Sequence, residues 1–107
     1  MIITTTATIE GHQIVDYLGI VSGEAVGGTN FVRDFFAGIT DILGGRSRGY
    51  EKSLTKIKDQ AIADMMAEAE EMGANAIVGA DLDYEVIASN SRNMMLCIAN
   101  GTAVRLG

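Results

Sequence analysis

Asp81, Asp83 and Glu85 alternate along one stretch of chain. On a β-strand that spacing puts three carboxylates on one face, roughly 7 Å between neighbours. Stacked carboxylates repel one another, which raises a pKa or recruits a cation. They offer oxygen ligands to a hard divalent ion, partners to arginines, or an acidic ring if the face turns toward a symmetry axis. The plain alternative is a solvated or Arg-paired face. A second candidate is Arg46-Ser47-Arg48, in a Gly-rich stretch before an expected helix N-terminus. Backbone N–H groups and the helix dipole favour a phosphate or carboxylate there. The stretch lacks the Lys-Ser/Thr of a phosphate-binding loop, and Gly44-Gly45 is already explained as a helix stop. Arg33, Asp34, Tyr50 and Glu51 complete the candidate ligand-binding set, or else form a network fixing two helices against each other or a neighbouring subunit.

Soft or imidazole metal sites need three or four converging ligands. The chain has one His, His12, and one Cys, Cys97. Met94, Met95 and carboxylates are the supplementary donors. One subunit cannot assemble a conventional His/Cys site from these, though a ring repeating His12 or Cys97 about an axis could. The expectation is therefore no metal and no cofactor: Cys97 is a small buried hydrophobe and His12 a polar turn residue. Catalytic groupings are poor. His12 stands alone, and Gly19-Ile20-Val21-Ser22-Gly23 misses the nucleophile-elbow spacing by one residue. No catalytic residue is assigned and the chain reads as a non-enzyme. The alternative is an interface-sited hydrolase or isomerase using Asp and Arg side chains.

The elements that position these residues follow from periodicity. Ile2 to Thr6 is rich in β-branched residues and suits a strand. Gln13 to Val26 is a longer strand with apolar residues on both faces: Ile14, Leu18, Ile20 and Val26 form one set, Val15, Tyr17, Val21 and Ala25 the other. Gly27-Gly28 ends it. Phe31, Phe35, Ile39 and Ile42 recur at helical spacing between a cap at Thr29 or Asn30 and the stop at Gly44-Gly45. A second helix runs from near Tyr50 to Met72, its apolar face being Tyr50, Leu54, Ile57, Ala61, Met65, Ala69 and Met72, and Gly73 ends it. Ala76 to Val86 alternates as a half-buried strand, with Val78, Ala80, Leu82, Tyr84 and Val86 on one face. After a polar loop, Met94 to Leu106 alternates again. Asn100-Gly101 is a hairpin signal, yet the alternation continues in phase across it. One long strand with a glycine bulge is the reading adopted.

The expected fold is α+β: two helices on one face of a sheet of about four long strands, in the order β-β-α-α-β-β. Two helices cover one face only. The second face, assigned Ile77, Met95, Cys97, Ala99 and Ala103 plus one set from the second strand, then remains apolar and exposed, which points to a partner surface and a closed homo-oligomer.

Composition bounds the rest. A chain of 107 residues, 48% hydrophobic, is one domain, residues 1–107, with one core. A net charge of -6 argues against nucleic acid. One Cys excludes an internal disulfide. Met1 to Thr6 lacks the basic and apolar regions of a secretory signal, and no apolar run approaches the ~20 residues of a membrane helix. The expectation is a cytoplasmic protein without membrane contact.

Arg33-Asp34-Phe35-Phe36-Ala37-Gly38-Ile39, Asp41-Ile42-Leu43-Gly44-Gly45-Arg46-Ser47 and Tyr50-Glu51 resemble the YbjQ-like family. Glu24-Ala25, Gly73-Ala74-Asn75-Ala76-Ile77-Val78-Gly79 and Gly101-Thr102-Ala103-Val104 extend the resemblance over essentially the whole chain. This is a bacterial and archaeal family of unknown function that carries a heavy-metal-binding label. The resemblance implies a small subunit, dodecin-like in topology, assembled as a ring-shaped homopentamer. It implies no established activity. The combined expectation is a non-enzymatic ring that binds a small ligand or metal ion, or scaffolds a partner.

Overall fold

The computed structural model describes residues 1–27, 48–88 and 93–107, with the side chains of 48–52, 88 and 93 left aside. The first expected helix, near 29–43, and most of the polar loop lie outside the described residues. Within them the order is β1 (Ile2–Ile3), β2 (Ile14–Gly27), α1 (Arg48–Glu71), β3 (Ala76–Ala88) and β4 (Asn93–Leu106). The four strands form one mixed sheet in the order β1-β3-β4-β2, with β1 parallel to β3 and the other pairs antiparallel. The α+β class therefore holds, with one correction. Three strands are long, whereas β1 is only two residues, its line prolonged by Thr4 N–H donating to Ile77 O and Ala80 N–H to Thr4 O.

Helix α1 forms where the apolar period is 3.6. Ile57, Ala61, Met65 and Ala69 are buried in steps of four. Gly73, at φ 85°, ends it with a left-handed cap: Ala74 N–H donates to Ala69 O and Gly73 N–H to Glu70 O. The helix lies against β2 and β4 more than β3. Its approach is close because the strand residues beneath are small. A Cβ on Gly23 would overlap the carbonyl of Ala61 and stand 2.5 Å from the amide nitrogen of Met65. Cys97, Ala99 and Ala103 fill the remaining floor, fully buried.

That small-residue floor corrects an expectation. Met95, Cys97, Ala99, Ala103 and Ile77 belong to the core under α1, not to an uncovered face. A helix backbone settles closest on Ala, Cys and Gly, so the less bulky face of β4 is the covered one. The opposite face carries a smaller cluster at one end: Ala76, Val78 and Val104, with Ile9, Ile14 and Leu106.

Strand β4 runs uninterrupted through Asn100-Gly101, as expected. The irregularity lies in its partner. Val78 pairs with Thr102 and Asp81 with Asn100, so Gly79 and Ala80 together oppose Gly101. Gly79 has φ 62°, a left-handed conformation suited to glycine in a bulge. The extra residue reverses the alternation. Ile77 and then Ala80 and Leu82 face the helix, while Val78 faces away. Strand β2 has shifts of its own between Ile14 and Asp16 and between Tyr17 and Gly19, so its two alternating sets mix. Leu18, Val21 and Ala25 pack under α1, and Ile20 and Val26 are exposed.

Candidate functional site

The antiparallel registers place the candidate carboxylates. Cross-strand partners share a face. Asp81, Asn100 and Ser22 form one row across β3, β4 and β2; Asp83, Ile98 and Glu24 form the next; Glu85, Leu96 and Val26 form a third. This is the sheet face opposite α1. Asp81, Asp83 and Glu85 are exposed on its β3 margin, while Leu96 and Ile98 are half-buried at its centre. An apolar strip on β4 is thus flanked by carboxylates on β3 and by Glu24 on β2.

On the helix side the same stretch of β3 presents Leu82, Tyr84 and Val86, with Tyr84 and Val86 half-exposed. A cleft of about 320 Å³ opens there between β1, β3 and α1, lined by Ile3, Thr4, Ile62, Met65, Ala80 and Leu82, with Asp81 at its margin. Tyr84 pairs with Cys97 across the ladder. Across that pair the phenol favours the ionised sulfur, and the sulfur favours the protonated phenol. Burial pushes the Cys97 thiol above its ordinary value; Asp83 adds to the rise, while the neighbouring Tyr84 phenol and Lys58 oppose it. Burial, then the neighbouring Cys97, also raises the Tyr84 phenol.

The edge strand β2 is treated differently from β3. Ser22 N–H donates to Glu68 Oε2 at 3.4 Å and Glu24 N–H to Asp64 Oδ2 at 3.3 Å. The helix thereby occupies part of a strand edge with which, among the described residues, no other strand pairs. Sequence reading missed these two carboxylates. The signal was present, since Asp64 and Glu68 lie four apart and each precedes a buried core position, Met65 and Ala69. Near the other end of β2, Asp16 and Arg105 form an exposed ion pair at 2.9 Å.

The remaining candidates separate. Arg33, Asp34 and Arg46 lie outside the described residues. Arg48, Tyr50 and Glu51 occupy the first turn of α1, their side chains outside the description. His12 is exposed in the turn before β2. Cys97 is buried about nine residues along β4 from the Leu106 that pairs with Ile14, roughly 30 Å away at strand rise. The two are not brought together. Among the described residues no three His, Cys, Asp or Glu side chains converge as a metal site. The donors described in this chain therefore do not fit a heavy-metal ion. Among the same residues no helix is long and apolar enough to cross a membrane.

Comparison with known proteins places this arrangement. Residues 1–107 match the profile of the YbjQ family described as "Putative heavy-metal-binding". A UPF0145 protein of Geobacillus kaustophilus is 56% identical over 106 residues, covering 99% of this chain and 98% of that one. A UPF0145 protein of Actinobacillus pleuropneumoniae is 51% identical over 104 residues, covering 97% of both chains. The crystal structure of a protein of unknown function of the DUF74 family, from Pediococcus pentosaceus, superposes with a TM-score of 0.70 at 17% identity. It covers all of this chain and 98% of that one.

Proposed function

The chain belongs to the YbjQ-like family, and we propose that it is a non-enzymatic subunit of a homo-oligomeric ring that scaffolds a partner or binds a small ligand. The carrying observation is where the bulky apolar residues are exposed. Val15, Tyr17, Ile20 and Val26 on β2 and Tyr84, Val86 and Ile87 on β3 stand open, Ile20 at 81% and Tyr17 at 68%. These are the two margins of the sheet. Such concentrated apolar exposure on a soluble subunit marks an association surface. The extended shape supports the reading. The radius of gyration is 16.7 Å, against about 13 Å for a compact domain of this length. Closed point-group assembly covers such surfaces without leaving open-ended growth, and five copies is the number that the family resemblance implies.

A metal-binding version needs donors from several copies, because the described donors of one subunit do not converge. Native mass spectrometry at micromolar concentration tests the assembly. A discrete multiple of the subunit mass is expected, and a monomer overturns the proposal. Elemental analysis of the tag-free assembly tests the metal version, which fails without stoichiometric metal or uptake on titration.

A further inference from the structure

We propose that Asn100-Gly101 is a conformation-gated deamidation site, silent while β4 is paired and reactive once the sheet opens, so that opened chains are withdrawn from the refolding population. No partner molecule is needed: the co-reactant is water and the product released is ammonia. Strand β4 is central, with described strands on both sides. The gate therefore belongs to the subunit itself, whatever surrounds its margins.

Asparagine is chemically labile, and most so before glycine, which leaves the next amide nitrogen uncrowded and its backbone free to turn. The Gly101 nitrogen attacks Asn100 Cγ and forms an N–C bond. The bond from Cγ to the side-chain nitrogen breaks, and ammonia leaves with the proton that the Gly101 nitrogen carried. Water then opens the five-membered imide at either carbonyl. One product is aspartate; the other is its isomer, whose main chain runs through the former side chain. The ring closes only when the Cα–C bond of Asn100 brings the Gly101 nitrogen to the same side as Cβ. An extended strand residue, with ψ near about +135°, holds that nitrogen roughly 100° away. Asn100 pairs with Ser22 on one side and Asp81 on the other, and Gly101 pairs with Val21. Turning that bond requires this part of the ladder to come apart.

The glycine is not exchangeable. A Cβ on Gly101 would stand 2.6 Å from Ile77 Cγ2 and 3.2 Å from Val78 O, beside the β3 bulge. The packing that demands glycine at 101 thus also supplies Asn100 with its most reactive neighbour. Neither product fits the same place. Aspartate at 100 sets a carboxylate directly opposite Asp81, and like charges opposed across a ladder destabilise it. The isomer adds one carbon to the main chain of the central strand, which disturbs the register with β2 and β3 together. A chain that has opened and reacted therefore re-forms the sheet poorly.

The test incubates the full-length protein, folded and in urea, beside a synthetic peptide of residues Ile98–Val104, all in mildly alkaline buffer. Product at Asn100 is read by mass spectrometry of the tryptic fragment that follows Arg92 and ends at Arg105. The folded protein is expected to react at least about tenfold more slowly than the peptide, with a rate that rises in urea in step with the unfolded fraction. A difference below about tenfold overturns the gate, as does a rate indifferent to urea. Wild-type chains aged in urea and returned to buffer should show a lower denaturation midpoint than chains aged folded. Asn100→Gln keeps the side-chain amide but can close only a slower six-membered ring, so its midpoint should survive the same treatment. An unchanged midpoint in the aged wild type overturns the withdrawal of opened chains. An equal loss in Asn100→Gln places the damage elsewhere and overturns it too. The rate comparison needs no variant, and decides the gate even where Asn100→Gln does not fold.

Discussion

Two glycines show opposite reasons for lacking a side chain. Gly23 sits under α1, where a Cβ meets the backbone of Ala61 and Met65 rather than a movable side chain. Gly23→Ala is expected to destabilise the protein by about 3 kcal/mol through displacement of the helix, read as a lower midpoint in chemical denaturation. Gly79 has open space around its Cβ position but a φ of 62°. Gly79→Ala should cost only about 1 kcal/mol, from backbone strain alone. Cys97 and Tyr84 make a second residue-scale prediction. Both groups have folded pKa values above their ordinary 9.0 and 10.0. At neutral pH both are protonated in folded and unfolded states, so neither tilts the balance. As pH rises past about 9 the unfolded chain ionises first and stability falls. Denaturation midpoints at pH 7 and pH 10 should show that fall, and Cys97→Ala should reduce it. The role of Cys97 as a buried small residue was legible from its place between Met95 and Ala99. Its pairing with Tyr84 was not, because that depends on cross-strand register.

Among the elements, α1 was legible almost to its ends: the expectation of Tyr50 to Met72 differs from Arg48–Glu71 by a residue or two. A long 3.6-residue period closed by glycine leaves little choice. Strand β4 was also legible, since its alternation passes through Asn100-Gly101 without a change of phase. The faces of β3 were not. A bulge is defined by what opposes it, and Gly79-Ala80 becomes one only when Gly101 lies across the ladder. The same limit hid the bonds from α1 to β2. Asp64 and Glu68 read as solvated helix residues until the edge of β2 is placed beneath them. Their contribution is local. The Asp64→Ala/Glu68→Ala variant should lose about 1 kcal/mol of stability and exchange the Ser22 and Glu24 amides faster. It should also aggregate sooner on concentration, because a guarded edge has been opened. Unchanged exchange at those two amides would remove the guarding role.

At the scale of the whole molecule, the described residues span 49 × 29 × 16 Å, a slab with one helix on one side. Composition announced an ordinary acidic domain, and only the placement of the apolar residues gave it, among the described residues, the exposed margins on which the proposed assembly rests. If β2 lies in the self-association surface, Ile20→Lys together with Tyr17→Lys should shift native masses toward the monomer while far-ultraviolet circular dichroism stays unchanged. Persistence of the oligomer would move the surface elsewhere. The arginine and Tyr-Glu candidates were read from local motif; Arg33, Asp34 and Arg46 lie outside the described residues, and Arg48, Tyr50 and Glu51 open α1. The Gly79-Ala80 bulge has a consequence of another kind. It acts on the sheet as a frameshift acts on a message: every residue downstream in β3 is read on the opposite side. Removing Ala80 would leave Gly79 alone opposite Gly101 and keep Asp81, Asp83 and Glu85 facing away from the helix, whereas pairing Gly79 and Ala80 singly would turn those three toward the helix and send Leu82, Tyr84 and Val86 outward, exchanging the charged and greasy sides without altering one of those six residues. Homologues one residue shorter at this point would therefore be expected to keep the same sidedness while losing the bulge.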